Sequence, residues 1–277
     1  MSKITMSGKG KVEEITRILS DEIQGSAMSY DYILFDLDGT LTDPGVGLTK
    51  AVEYALSKFN IEVENLSDLY KFIGPPLWDS FQDFYGFSVE DSKKAVEYYR
   101  EYYGVKGIYE NEVYKGIEDL LKSLKNKGKT LIVATSKPEV YAKIVLEHFN
   151  LDKYFDFIAG SNFDGTRVKK DEVIQYAVDS CKISDLSKAI MIGDRMHDIN
   201  GAKKVGLDSI GVLYGYGDRV ELESAGAKYI AETVEDIEEL LIDDIEMKLD
   251  EADRIAEETS IRYSSDEVFG RIRETKT

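Results

Sequence analysis

Two aspartates two residues apart, Asp36 and Asp38, close the apolar run Ile33-Leu34-Phe35 and are followed at once by Gly39-Thr40-Leu41-Thr42. A short strand that stops at Asp36 delivers both carboxylates to its carboxyl end, where open α/β sheets place their ligands. Residues i and i+2 of a strand share a face, and a turn beginning at Asp38 lets both acids point into one small site. Two acids that close repel each other, which raises a pKa or calls for a cation. One can then act as an ionised nucleophile and the other as a proton donor. An isolated Asp-x-Asp is also a common polar strand-to-loop junction. Here the glycine turn and the partners found downstream favour the chemical reading.

Those partners need elements to carry them. After the Asp36 strand, residues 44–110 read as helices only: Thr49–Phe59, Leu66–Phe72, Leu77–Tyr85 and Val89–Tyr103 carry apolar residues at spacings of three and four. An insertion at that point sits over the carboxyl end of the sheet as a lid, and its many Tyr and Phe residues read as its own core. From Val113 the pattern alternates. Ile117–Asn126 is helical, Lys129–Ala134 is a buried strand running into Thr135-Ser136-Lys137-Pro138, and Tyr154–Ala159 is a weak strand. Asp171–Cys181 is a helix, Ala189–Ile192 a strand ending at Gly193-Asp194, a helix runs to Val205, and Asp208–Val212 closes the series. Strands alternating with helices predict a doubly wound parallel sheet with right-handed crossovers. Residues 1–28 read as an added arm with a helical stretch, Val12–Ile23, and 245–277 as an acidic helical appendage.

Composition narrows the setting. The 277 residues are 43% hydrophobic, enough for a sizeable core, and Cys181 is alone, which excludes an internal disulfide. No apolar stretch approaches the roughly 20 residues of a membrane span, and the basic start lacks the apolar centre of a signal peptide, so a cytoplasmic location is expected. The net charge of −18 argues against a nucleic-acid-binding surface. It is uneven: from Glu232 to Thr277 there are 16 acidic and 6 basic residues, so that stretch carries −10 of it. The body is left only mildly acidic and can hold a local anion pocket.

Asp36/Asp38, Thr135, Lys170, and Asp194 with Asp198, in that order and on those elements, resemble the four motifs of the haloacid dehalogenase superfamily over about residues 30–241. The resemblance implies a Rossmann-like α/β core (29–43 and 111–244) with an inserted all-helical cap (44–110). It implies Asp36 as the nucleophile that forms an aspartyl-phosphate, and Asp38 as the acid–base that protonates the leaving alcohol and later activates water. It implies Thr135, Ser136 and Lys170 as phosphoryl contacts, with Lys169 as an alternative to Lys170. It also implies Mg2+ held by Asp36, Asp194 and the Asp38 carbonyl, with Asp198 orienting a metal-bound water. Aspartate at position 38 sets the chain apart from true dehalogenases, which lack it, and from P-type ATPases, which have threonine there.

Phe72-Ile73-Gly74-Pro75-Pro76-Leu77, Ala134-Thr135-Ser136-Lys137-Pro138 and Gly193-Asp194-Arg195-Met196-His197-Asp198 look similar to the phosphoglycolate phosphatase and bacterial 5′-nucleotidase-like branch. That likeness implies a phosphomonoesterase on a small metabolite, first a nucleoside 5′-monophosphate, then phosphoglycolate. Gly74, Pro75, Trp78 and Arg100 are cap candidates for the substrate, Lys50 a further anion contact, and Arg195 and His197 helix-start residues. A β-phosphoglucomutase-like mutase shares the same motifs, and a catalytically silent phosphate sensor would share the fold. The phrases Leu249–Arg254 and Arg262–Phe269 resemble antitoxin tails, which implies a protein partner for 245–277; a helix packing on the core is the plainer reading.

Overall fold

The computed structural model describes residues 30–242. The expected arm 1–28 and the appendage 245–277, with its partner-binding phrases, lie outside the described residues. The chain divides into a compact unit Tyr30–Glu239 and a second that combines Met1–Ser29 with Leu240–Thr277. Of the second, only the last residues of the final helix are described.

The fold is built outward from β1 (Tyr32–Phe35), whose Ile33, Leu34 and Phe35 are fully buried. A strand covered on both faces needs a continuous apolar run, which these residues supply. A tight turn leads to β2 (Thr42–Asp43), then α1 (Gly45–Ser57), a 3-10 segment at Leu66–Phe72, α2 (Leu77–Tyr85) and α3 (Val89–Tyr103). A 3-10 turn at Gly107–Tyr109 and β3 (Glu112–Val113) bring the chain back. β2 and β3 pair antiparallel, Thr42 opposite Val113, and so clamp the base of the helical block. Gly86, left-handed at φ 67°, ends α2, and the Ser88 hydroxyl caps α3 by accepting from Asp91 N at 3.0 Å. The aromatics here pack on one another: Phe72 meets Phe81 edge-on at 5.1 Å, Phe81 stacks on Phe87 at 5.7 Å, and Phe59 lies 4.6 Å from Phe87.

The remainder alternates: α4 (Ile117–Asn126), β4 (Thr130–Pro138), α5 (Glu139–His148), β5 (Phe157–Ser161), α6 (Lys170–Ser180) and β6 (Ala189–Gly193). It ends with α7 (Met196–Val205), β7 (Asp208–Val212), α8 (Arg219–Ala225), β8 (Tyr229–Ala231) and α9 (Val234–Ile242). The six-stranded sheet runs β5-β4-β1-β6-β7-β8, every pair parallel. This is the expected doubly wound α/β sheet with flanking helices. Leu34, Ile132, Ala134 and Met191 pack against Val173, Ile174 and Ala177 of α6 in one apolar cluster. No described helix is long and apolar enough to cross a membrane.

The structure corrects several expected elements. Leu66–Phe72 is a 3-10 helix rather than an α-helix: the Asn65 side chain caps Ser67 N and the chain turns extended at Ile73, leaving room only for short-range bonds. β4 continues through Pro138, because after an irregularity beyond Ala134 the ladder with β5 resumes at Pro138 opposite Ser161. The weak strand starts later, at Phe157, since Asp152–Tyr154 forms its own 3-10 turn. Asp208–Val212 does not close the series, because β8 adds a sixth strand beside it.

Candidate active site

β1 lies between β4 and β6 with Phe35 level with Val133 and Ile192. The residues just beyond therefore leave the sheet at one height: Asp36 from β1, Thr135 from β4, Asp194 from β6. Asp36 N donates to the Ile192 carbonyl at 2.9 Å, which holds the strand end in register before the turn. Gly39 (φ +84°) makes that turn possible, and a Cβ there would overlap the Asp194 carboxylate. Leu41 N and Thr42 N both return to the Leu37 carbonyl, at 2.9 and 3.0 Å, so the chain folds back directly over Asp36.

Three carboxylates meet beneath this turn. Asp36, Asp194 and Asp198 are all buried, each offering an oxygen within 4.8 Å of the others. Lys170, the first residue of α6, puts Nζ 2.9 Å from Asp36 Oδ1 and 2.7 Å from Asp198 Oδ1, and donates to the Ala134 carbonyl at 3.2 Å. Gly201 of α7 makes room for it, since a Cβ would stand 2.8 Å from Lys170 Cγ. Lys169 is exposed. Of the two adjacent lysines, Lys170 is the one that reaches Asp36 and Asp198. Asp198 is fixed from α7, where its Oδ2 accepts from Arg195 N at 3.0 Å. Asp194 accepts from Tyr216 N at 2.8 Å and from the Thr40 hydroxyl at 3.4 Å.

Asp38 turns the other way, to Lys137 of β4, whose Nζ lies 2.5 Å from Asp38 Oδ2 and donates to the Tyr103 hydroxyl at 2.7 Å. Asp38 Oδ1 is buried and has no protein partner. Thr135 is buried, its hydroxyl accepting from Lys137 N at 3.2 Å, and the Ser136 carbonyl accepts from the Ser161 hydroxyl at 2.8 Å. Asp36, Asp38, Thr135, Ser136 and Lys137 line one wall of a cavity whose opposite wall is Gly74, Pro75, Trp78, Arg100 and Tyr103 from the helical block. All four expected cap residues thus face the same cavity as Asp36. Arg100 lies 5.9 Å from the Trp78 ring and 4.8 Å from the Phe163 ring, and donates to the Phe163 carbonyl at 3.3 Å. Lys50 is not among the lining residues; it is paired with Glu110 at 2.7 Å, so the expected anion contact is replaced by a salt bridge.

Charge is the governing feature. Four carboxylates (Asp36, Asp38, Asp194, Asp198) face two lysines (Lys137, Lys170), which leaves two negative charges when all are ionised. Burial, then the charges of Asp198 and Asp36, push Asp194 well above the ordinary carboxylate range. Burial raises Asp198 to about 6 against the pull of Lys170. Burial also raises Asp38, partly offset by Lys137. For Lys170, burial alone would lower the pKa, but Asp198 and Asp36 together hold it above the usual value. A buried donor set made only of oxygens and short by two positive charges is chemically suited to one hard divalent cation such as Mg2+.

Lys137, Tyr103, Tyr216 and Arg195 are functional candidates that the sequence reading missed or assigned elsewhere. Lys137 stood inside the quoted Thr-Ser-Lys-Pro phrase, but nothing in the sequence says that a lysine there turns inward. Tyr214-Gly215-Tyr216-Gly217 carried a usable signal, since alternating glycines mark close backbone approach. A Cβ at Gly217 would overlap the Asp194 carbonyl.

A family model described as haloacid dehalogenase-like hydrolase matches residues 33–212. A 5′-nucleotidase of Pseudomonas aeruginosa is 46% identical over 202 residues, covering 73% of this chain and 91% of the relative. The tyrosine-protein kinase PtkA of Mycobacterium tuberculosis is 34% identical over 211 residues, covering 76% of this chain and 72% of the relative. The crystal structure of a predicted phosphatase from Clostridium acetobutylicum superposes with a TM-score of 0.76 at 53% identity, covering 77% of this chain and 99% of that one.

Proposed function

The chain belongs to the haloacid dehalogenase-like hydrolases, and from that membership we propose that it is a Mg2+-dependent phosphomonoesterase working through an aspartyl-phosphate on Asp36. The observation that carries the reading is the Asp36, Asp194 and Asp198 cluster, tied by Lys170 and two charges short of neutrality, beside a cavity that Asp36 and Asp38 share with Trp78 and Arg100.

Asp36 attacks phosphorus, and the P–O bond to the leaving alcohol breaks. Lys170, 2.9 Å from Asp36 Oδ1, aims that carboxylate, and the Thr135 hydroxyl with Ser136 binds the phosphoryl oxygens. Asp38 gives its proton to the leaving oxygen, then takes one from the water that attacks the aspartyl-phosphate and returns phosphate. Burial favours the protonated acid that the first of these steps needs, and the Lys137 contact opposes it. Asp36, Asp194 and the Asp38 carbonyl, with Asp198 behind them, would hold Mg2+, which when bound would supply the positive charge that lets a carboxylate approach a phosphate dianion.

The helical block 44–110 is the cap in this reading. Its face toward the cavity, with Trp78 and Arg100, suits a flat leaving group better than a two-carbon acid. A nucleoside 5′-monophosphate is thus the first substrate, in keeping with the 5′-nucleotidase relative, and phosphoglycolate the second. The test is Mg2+-dependent phosphate release from 5′-nucleotides, phosphoglycolate and sugar phosphates. Release from nucleotides, lost on chelation and in Asp36→Asn, is expected. No release from any ester by a folded protein would overturn the reading.

A further inference from the structure

Arg195 follows Asp194 directly and precedes α7. Its backbone satisfies the helix start, since Asp198 N donates to its carbonyl at 3.0 Å and Asp198 Oδ2 accepts from its N–H. That cap requires nothing of the guanidinium, which instead crosses to the helical block. Arg195 Nη1 donates to the Ile73 carbonyl at 2.5 Å, and Nε donates to Glu221 Oε1 at 2.9 Å. Glu221, on α8, is itself held by Met196 N at 2.8 Å. The arginine thus has a fixed anchor on the core side and a backbone acceptor on the other.

The acceptor is not an arbitrary carbonyl. Ile73 is buried and leads into Gly74, which sits at φ +103° with room for no Cβ: one would stand 2.9 Å from Arg195 Cγ. Gly74, Pro75 and Trp78, just beyond, form the cavity rim. A second contact runs in parallel. Tyr216, whose N–H holds Asp194, meets the Tyr70 ring at 5.4 Å and donates its hydroxyl to Asp43. Arg195, next in the chain after Asp194, and the Tyr216 loop that holds Asp194 therefore both touch the segment from Tyr70 to Gly74.

We infer that Arg195, anchored by Glu221, is a positioning residue that sets the Gly74–Trp78 rim of the cavity relative to Asp194. It thereby controls how far the rim closes on a leaving group. The inference rests on the phosphomonoesterase reading for its kinetic arm, but not for its structural one.

Trp78 is the single tryptophan of the chain, so its fluorescence reports the rim alone. Arg195→Gln, Glu221→Gln and the double variant are compared with the parent in full-length protein with Mg2+ and inorganic phosphate. Acrylamide quenching of Trp78 should rise in Arg195→Gln at temperatures well below its melting point. Its kcat/KM on the best ester should fall about tenfold or more, the size expected for one hydrogen bond from a charged donor. Glu221→Gln should move both in the same direction by less, and the double variant should be no worse than Arg195→Gln, because the two residues act as one unit. Arg195→Lys, which can reach Ile73 but not both acceptors, should recover part of the loss. Unchanged quenching and kcat/KM in folded Arg195→Gln, or additive effects of the two single variants, would overturn the inference. If the parent releases no phosphate from any ester, the phosphatase reading fails, and the Trp78 quenching still decides the role of Arg195.

Discussion

Lys137 and Asp38 show how much a single residue can decide here. Their side chains are 4% and 13% exposed and form an ion pair, so removing either partner leaves the other charge buried without compensation. Breaking such a pair costs about 3 kcal/mol or more, although the intact pair adds little net stability. Lys137→Met should therefore lower the urea midpoint markedly, and adding Asp38→Asn should restore part of the loss. An unchanged midpoint in Lys137→Met would show that water reaches Asp38 freely. At this scale the acids were legible in the sequence, because carboxylates at strand ends have few structural reasons to be there. The lysines were less so. Lys169 and Lys170 are indistinguishable until α6 fixes which one faces inward, and Lys137 gives no local sign that it will be buried.

The elements place these residues mainly through glycines at close approaches. Gly39 needs both a left-handed backbone and the absence of a Cβ against Asp194. Gly39→Ala should lower stability by more than about 1 kcal/mol, the scale of an incompatible backbone alone, and should abolish phosphate release by displacing Asp194. Thermal melting with a phosphate assay checks both. Retained activity would mean that the turn can rearrange without moving the carboxylate. Gly47 of α1 plays the same part inside the helical block, where a Cβ would overlap the Gly107 carbonyl, so Gly47→Ala should destabilise without touching the lysine–carboxylate contacts. Helix and strand positions were largely legible because apolar spacing reports burial directly: α2 and α3 match their expected bounds. What escaped was structure without such spacing. The two-residue strands β2 and β3 are too short to alternate, and the three residues of β8 carry no period.

For the whole molecule, the buried acid cluster ties stability to pH and to divalent cations. Asp194 and Asp198 have raised pKa values in the folded protein, so each holds its proton more tightly folded than unfolded. Their contribution is complete below the ordinary carboxylate value of 3.8 and is lost as pH rises through the folded values, about 6 for Asp198. Acids lowered by surface hydrogen bonds, such as Asp164 and Asp236, act in the opposite sense but only near or below their ordinary value. Without divalent cations the melting temperature should therefore fall from pH 5 to pH 7.5. Added Mg2+ should raise it more at pH 7.5 than at pH 5, since a cation favours the ionised cluster. Calorimetry at the two pH values, with chelator and with Mg2+, measures this, and equal Mg2+ effects would place the ion elsewhere. The central claim is that Asp36 carries the phosphoryl group in the reaction. It is tested most directly by acid-quenching the enzyme during turnover, reducing with borohydride, and sequencing the Asp36 peptide by mass spectrometry. Homoserine at position 36, absent without substrate and absent in Asp36→Asn, is the predicted result. Unmodified aspartate at position 36 during rapid phosphate release that persists in Asp36→Asn would contradict it.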